Sequence, residues 1–275
     1  MASILRLYWW SEIHIQKKSF ENYGDLLGKY LAKKISGKNV IWVRANKFYF
    51  KNLWRPVFVT IGSVLEHIGS HCIVWGSGIA HRESSIARAT FMAVRGPLSR
   101  KRILDLGYDC PEVYGDPALL LPLYYQPNVE QTWEIGIVPH ISDYNHVVQL
   151  FDGTDIKIID FNTNSIEQTT KELVSCKRIL SSSLHGLIVA HAYQIPAVQV
   201  NFSDKIYGDG IKYFDYFQSV GLQEYAPVAM SKVEGAKSLS AMIEKHAGSL
   251  PDALQIEKLQ QGLLKSCPFK AVKNE

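Results

Sequence analysis

Apolar residues fall along this chain in short runs, separated by longer segments of helical period. Residues 4–10, ILRLYWW, read as a first strand. In residues 24–35, GDLLGKYLAKKI, Leu26, Leu27, Tyr30, Leu31 and Ile35 share one helical face and the lysines lie off it. Residues 40–43, 57–61 and 72–75 read as buried strands. Residues 97–106 read as a helix that Pro97 opens and Gly107 stops. The stretch LYYQPNVEQTW after Pro122 has no clear period, so a domain boundary falls there, giving units 1–128 and 129–275. A second alternation follows, with strands at 134–139, 156–160, 178–181 and 197–201. Helices at 142–151, 165–176 and 187–193 separate them, and two more occupy roughly 238–264. Such alternation implies parallel sheets with helices on both faces. The pattern therefore predicts a two-domain α/β protein with a cleft, and chemistry in the loops after the strands.

Composition narrows the picture. The chain has 275 residues, 47% hydrophobic and 20% charged, as expected of a soluble globular protein. A formal charge of +4 suits an anionic small substrate or a weak encounter with an anionic membrane surface. It is too small to call for nucleic acid. Cys72, Cys110, Cys176 and Cys267 lie far apart and form no CxxC pair. The apolar start has no basic segment before it and reads as a strand, not a signal peptide. No apolar run approaches the roughly 20 residues of a membrane helix. These features predict reduced cysteines and a cytoplasmic protein.

Several short blocks could carry chemistry. Asn22 and Asp25 flank the start of the first long helix. Either could cap it, or the N–H groups there could bind an anion or a sugar hydroxyl. In WGSGI, Gly76 and Ser77 sit in a turn that would also let a ligand approach the backbone. Arg95, in VRGPLS, stands where a strand gives way to a helix, and its planar fork could hold a carboxylate or phosphate. Asp116, before Pro117, reads as a structural turn or cap. His67 and His71, and the trio His140, Asp143 and His146, lack a zinc-protease pattern, so no metal site is expected. His185, in SSSLHGLIVA, follows a strand end beside Gly186. It is either a packed core histidine or an acid–base group in the cleft. Lys205 follows the next strand on the same rim. Lys212, in GIKYFDYF, sits in an aromatic repeat that suits helix packing.

Taken in order, NYGDLL (22–27), WGSGI (75–79), VRGPLS (94–99), YGDPALLLP (114–122) and SSLHGLIVAHAYQIPAV (182–198) resemble the polysaccharide pyruvyl transferase family. The resemblance implies two Rossmann-like domains facing across a cleft, as in GT-B glycosyltransferases. Units 1–128 and 129–275 would be the acceptor and donor sides, the second carrying the terminal helices. It implies transfer of the enolpyruvyl carbons of phosphoenolpyruvate onto a sugar of a cell-surface polysaccharide precursor, as a ketal. Phosphoenolpyruvate is then the donor substrate, with no cofactor and no metal. By the same resemblance Arg95 and His185 are the catalytic residues: Arg95 contacts the donor anion and, with Lys205, stabilises the departing phosphate, and His185 is the acid. Ser183, Leu184 and Lys205 complete the donor side. Asn22, Asp25, Gly76, Ser77 and His140 fall on the acceptor side. Many members carry arginine where this chain has Ser183, a contact that Lys205 or Lys212 would then supply. The implied acceptor is lipid-linked or nucleotide-linked, at the cytoplasmic face of the membrane. Two alternatives share this fold: a GT-B transferase using a nucleotide sugar, and a non-catalytic saccharide-binding relative. No G-x-S-x-G elbow points to a serine hydrolase.

Overall fold

Short apolar strands whose central members are buried on both sides need cover on both faces, and parallel sheets with buried central strands and more exposed edge strands provide it. Five of them, β1 (Ile4–Tyr8), β3 (Asn39–Trp42), β4 (Val57–Val59), β5 (Cys72–Trp75) and β6 (Thr90–Ala93), form a parallel sheet of order β3-β1-β4-β5-β6. Five more, β7 (Trp133–Val138), β8 (Lys157–Ile158), β10 (Cys176–Ser181), β11 (Ala197–Asn201) and β12 (Val228–Ala229), form a second, of order β12-β11-β10-β7-β8. The structure is a computed structural model that describes residues 4–47, 55–230, 235–246 and 248–269. Both halves show the anticipated α/β alternation.

Two helices present their first turns to the space between the sheets. Helix α2 (Tyr23–Ser36) begins at Asn22, whose Oδ1 accepts from the N–H groups of Gly24 and Asp25, and ends at Gly37. Helix α7 (Leu184–Ala192) begins three residues before the expected position, because Ser183 is still extended and Leu184 already helical. The helix expected over 165–176 is α6 (Ile166–Val174). Its last turn gives way to β10, where Cys176 already pairs with Trp133.

The halves share one continuous hydrophobic core. Leu7 of β1 and Leu27 and Leu31 of α2 belong to the same buried cluster as Ile179 of β10 and Leu187 of α7. A short antiparallel pairing of β2 (Glu21–Asn22) with β9 (Asn162–Thr163) ties them further. Beside it, Tyr23 packs on Phe161 with ring centroids 4.5 Å apart. The two terminal helices part company. Helix α9 (Ala236–Lys245) packs against β7. Helix α10 (Ala253–Ser266) crosses back to the first half, where Leu263 accepts a 3.0 Å bond from the Trp75 indole. The apolar stripe of Ile256, Leu259 and Leu263 needs a partner face and finds it there. Helix α10, expected to belong to the 129–275 unit, thus touches both halves: Gln260 donates to the Leu119 carbonyl at 2.7 Å and Gln255 to the Ser219 carbonyl at 2.9 Å.

A buried ion pair adds a directional link. Arg95 follows β6, just before helix α3 (Pro97–Asp105), and Asp215 lies on helix α8 (Ile211–Ser219). Both side chains are fully buried and 3.0 Å apart. Arg95 also donates to Ser63 Oγ (2.7 Å) and to the Ile79 carbonyl (2.8 Å). Asp215 accepts from the Ser99 N–H (2.8 Å) and hydroxyl (2.6 Å). A side chain at Gly96 would lie 1.9 Å from the Asp215 carbonyl oxygen, so the intervening residue must be glycine. The pair, with its hydrogen bonds complete, fixes α8 against the first sheet.

Arg95→Ala is therefore expected to destabilise the fold, because it leaves Asp215 charged and unpaired in the core. The cost of breaking one side of such a pair is about 3–5 kcal/mol. Denaturant unfolding should show Arg95→Ala less stable than the double variant Arg95→Met/Asp215→Leu, in which no charge is stranded.

Candidate active site

The two helix starts, the loop after β4 and the start of α8 border one cleft of about 550 Å³. From the first half it is lined by Trp10, Glu12, Asn22, Asp25, Ser63 and His67, among others. From the second half come His140, Ser183, Leu184, His185, Tyr207 and Lys212. Ligand sites of parallel sheets gather at such strand ends.

Asp25 stands in the first turn of α2, with a Gly62 side chain excluded to 3.2 Å from its Oδ1. Surrounding protein strips water from its carboxyl and pushes the pKa up to about 7. Nearby His185 and Lys212 oppose that shift, whereas Glu12 and Glu21 reinforce it. Lys212, at the start of α8, is half-buried and donates to the Tyr207 carbonyl at 2.9 Å. Burial first, then the Arg95 charge, bring its ammonium down to about 8, against the pull of Asp25. Burial likewise lowers His140 and His67. A proton donor or acceptor held near neutrality is what acid–base chemistry requires.

Helix α7 contains two histidines in opposite situations. His191 is wholly buried; Tyr216 Oη lies 2.9 Å from its Nδ1, and desolvation depresses its pKa to about 4. It is a neutral core residue. His185 lies in the first turn and borders the cleft. Its Nε2 is buried without a hydrogen-bond partner and sits 3.7 Å from Asp116 Oδ2, itself buried and unpartnered. The opposite edge of the ring abuts α2, where a side chain on Gly24 would come 2.0 Å from Nδ1. Gly24 is thus what lets the imidazole lie against Asp25's own helical turn. Beside it, the first N–H groups of α7 have no carbonyl partner within the helix and carry the positive end of its dipole.

The expected site residues fare differently. Asn22, Asp25, His140, Ser183, Leu184 and His185 all line the cleft. Arg95 does not: its fork is filled by Asp215, Ser63 and Ile79, and only its partner Ser63 reaches the cleft wall. Gly76 and Ser77 also stand behind the wall. Gly76 turns at φ +88° against Pro117, and the buried Ser77 hydroxyl donates to the Gly62 carbonyl at 2.7 Å. Lys205 is exposed and off the cleft. The bordering cation on that side is Lys212, one helical turn before Asp215. Trp10, Glu12, Ser63 and Tyr207 belong to no sequence block and were missed. Among the described residues, no group of three or more His, Cys, Asp or Glu could hold a metal ion, and no helix is long and apolar enough to cross a membrane.

This arrangement combines an ammonium, a helix N-terminus and near-neutral acid–base groups on one α/β cleft, which suits an anionic substrate that must exchange a proton. The sequence profile described as polysaccharide pyruvyl transferase matches residues 22–203. The chain therefore belongs to the polysaccharide pyruvyl transferase family. It is also similar to an uncharacterized protein of Acanthamoeba polyphaga mimivirus. The two are 28% identical over 216 residues, 74% of this chain and 72% of the viral protein.

The Asp25 shift has a consequence for stability. The folded protein keeps this proton up to about pH 7, whereas an ordinary aspartate releases it near 3.8. Ionising Asp25 thus penalises the fold progressively as pH rises between these values, and fully above them. Asp25→Asn lacks the penalty, so its melting temperature relative to the parent should climb from pH 4 to 7 and then level off. A constant difference across that range would contradict the assigned shift.

Proposed function

We propose that this protein transfers the enolpyruvyl carbons of phosphoenolpyruvate onto two hydroxyls of one saccharide, giving a pyruvate ketal and inorganic phosphate. The observation that carries the reading is the placing of Lys212, the α7 N-terminus, His185 and Asp25 on one cleft in a chain of this family. The phosphate and carboxylate of the donor face Lys212 and the N–H groups at Leu184 and His185. His185 delivers a proton to the methylene carbon, which becomes the methyl group. The adjacent carbon, made electrophilic, accepts the first sugar hydroxyl, and ionised Asp25 takes up the hydroxyl proton. Phosphate then departs with the C–O bond electrons, and the second hydroxyl closes the ketal. Of the two hydroxyl protons, one replaces that lost by the acid and the other leaves on phosphate. Neither a redox change nor a cofactor is required.

A cleft of about 550 Å³ leaves room beyond a donor of ten heavy atoms. Trp10 and His67, with ring centroids 5.2 Å apart, offer an aromatic wall for a sugar ring beside Asn22 and His140. Arg95 serves this site indirectly, by fixing α8 and hence Lys212. Lys212 also stands in for the arginine that many family members carry where this chain has Ser183. The acceptor in this reading is a lipid-linked or nucleotide-linked polysaccharide precursor at the cytoplasmic membrane face.

Incubation with phosphoenolpyruvate and candidate saccharides, followed by mass spectrometry, tests the proposal. It expects a pyruvate ketal; sugar transfer from nucleotide sugars, with none of pyruvate, would replace it with glycosyl transfer. His185→Asn should lower kcat by roughly a hundred- to ten-thousandfold with little change in melting temperature. A fully active, folded His185→Asn protein would remove it from the chemistry. Lys212→Met should weaken donor binding by about tenfold or more, the worth of one charge-assisted contact. Donor affinity should also fall as pH rises through 7 to 9. Asp25 becomes charged near 7 and Lys212 loses its charge near 8, and both changes repel an anion. Calorimetric titration of phosphoenolpyruvate across that range reads this directly.

A further inference from the structure

Asp116 gave no catalytic signal in sequence, yet among the described residues its second carboxylate oxygen is one of the few buried side-chain polar atoms without a hydrogen-bond partner. Such atoms require an explanation. One oxygen, Oδ1, accepts from the Ala118 N–H at 2.9 Å and caps the short 3-10 turn Pro117–Leu120. Pro117 holds the Asp116 backbone extended. The carboxylate is thereby immobilised, and its free oxygen points to His185 Nε2, 3.7 Å away and equally unpartnered. That gap is too short for a bridging water, which would separate its neighbours by about 4.5 Å if two ordinary hydrogen bonds met at a tetrahedral angle. It exceeds a direct bond by less than 1 Å, and such contacts commonly tighten when substrate binds. Asp116 comes from the first half of the chain and His185 from the second, so the contact joins the two halves beside the cleft.

We infer that Asp116 is a positioning residue for His185: it accepts a hydrogen bond from Nε2–H and so leaves Nδ1, on the Asp25 side of the ring, as the nitrogen that exchanges a proton with substrate. A neutral imidazole carries one N–H, and its partner decides which nitrogen bears it. The carboxylate fixes it on Nε2, turns the lone pair of Nδ1 towards Gly24 and Asp25, and balances the imidazolium formed when Nδ1 takes up a proton. Asp116 touches no substrate atom and changes no bond. The inference rests on the reading of His185 as the acid–base group of pyruvyl transfer.

Nitrogen-15 NMR of histidine-labelled full-length protein, with His185 assigned from the His185→Asn spectrum, tests it without any substrate. The neutral form is expected to carry its proton on Nε2. A proton on Nδ1 would overturn the inference. Asp116→Asn keeps an oxygen for the cap but has no charge to offer the ring. In it the Nε2 preference should disappear, and kcat should fall by about a hundredfold or more while the donor KM stays within about twofold. Unchanged kcat in a folded Asp116→Asn protein would equally overturn the inference. If that variant does not fold, the tautomer in the parent protein decides alone. A proton on Nε2 in a protein that forms no ketal from phosphoenolpyruvate would uphold the positioning and discard pyruvyl transfer.

Discussion

A charge that cannot reach water must find its opposite inside the protein, and the Arg95–Asp215 pair meets that condition across the two halves of the chain. Each partner alone would be strongly unfavourable in the core; together, with their hydrogen bonds filled, they are tolerated and directional. Apolar packing between the halves is extensive, and the pair adds a directional contact to it, joining α8 to the start of α3 through Ser99 and Arg95. The position of Lys212 follows from it, since Lys212 is one turn from Asp215 on the same helix. So does the loop carrying Ser63, which Arg95 grips from behind the cleft wall.

The same low-dielectric surroundings set the chemistry. Burial raises Asp25 against the charges of His185 and, less, Lys212, while burial and the Arg95 charge lower Lys212 against Asp25, which brings both pKa values towards neutrality. Exposed side chains would titrate far from neutral pH and exchange protons poorly there. His185 completes this set with one edge on Asp116 and the other on the first turn of α2. The cleft is therefore a shared product of both halves: Asp25 comes from the first, and Lys212, His185 and the α7 N-terminus from the second.

Much of this was legible in the chain. The strand and helix alternation gave both parallel sheets, because period and breaker residues act locally. Asn22 was read as a cap and is one, and it lines the cleft as well. His185 was singled out from its place between strand end and helix start. Arg95 was misplaced for an instructive reason. An arginine after a strand suits an anion site and a buried ion pair equally, and what decides is an aspartate 120 positions away. Ser77 likewise holds a backbone loop through a carbonyl that no local pattern reveals. Trp10, Glu12 and Ser63 carry no motif, since they enter the cleft through tertiary packing alone. The return of α10 to the first sheet is also long-range, and helical period says nothing about which face will cover it.

Proton delivery to the methylene carbon of a bound enolpyruvyl donor is the central step of the proposed reaction. Proton NMR of the product formed from phosphoenolpyruvate and an accepted saccharide in heavy water examines that step directly. The account predicts a pyruvate ketal whose methyl group carries a single deuterium, formed in step with one phosphate released. A product that retains the carbon–carbon double bond, or a saccharide that receives no pyruvate carbon, would contradict it.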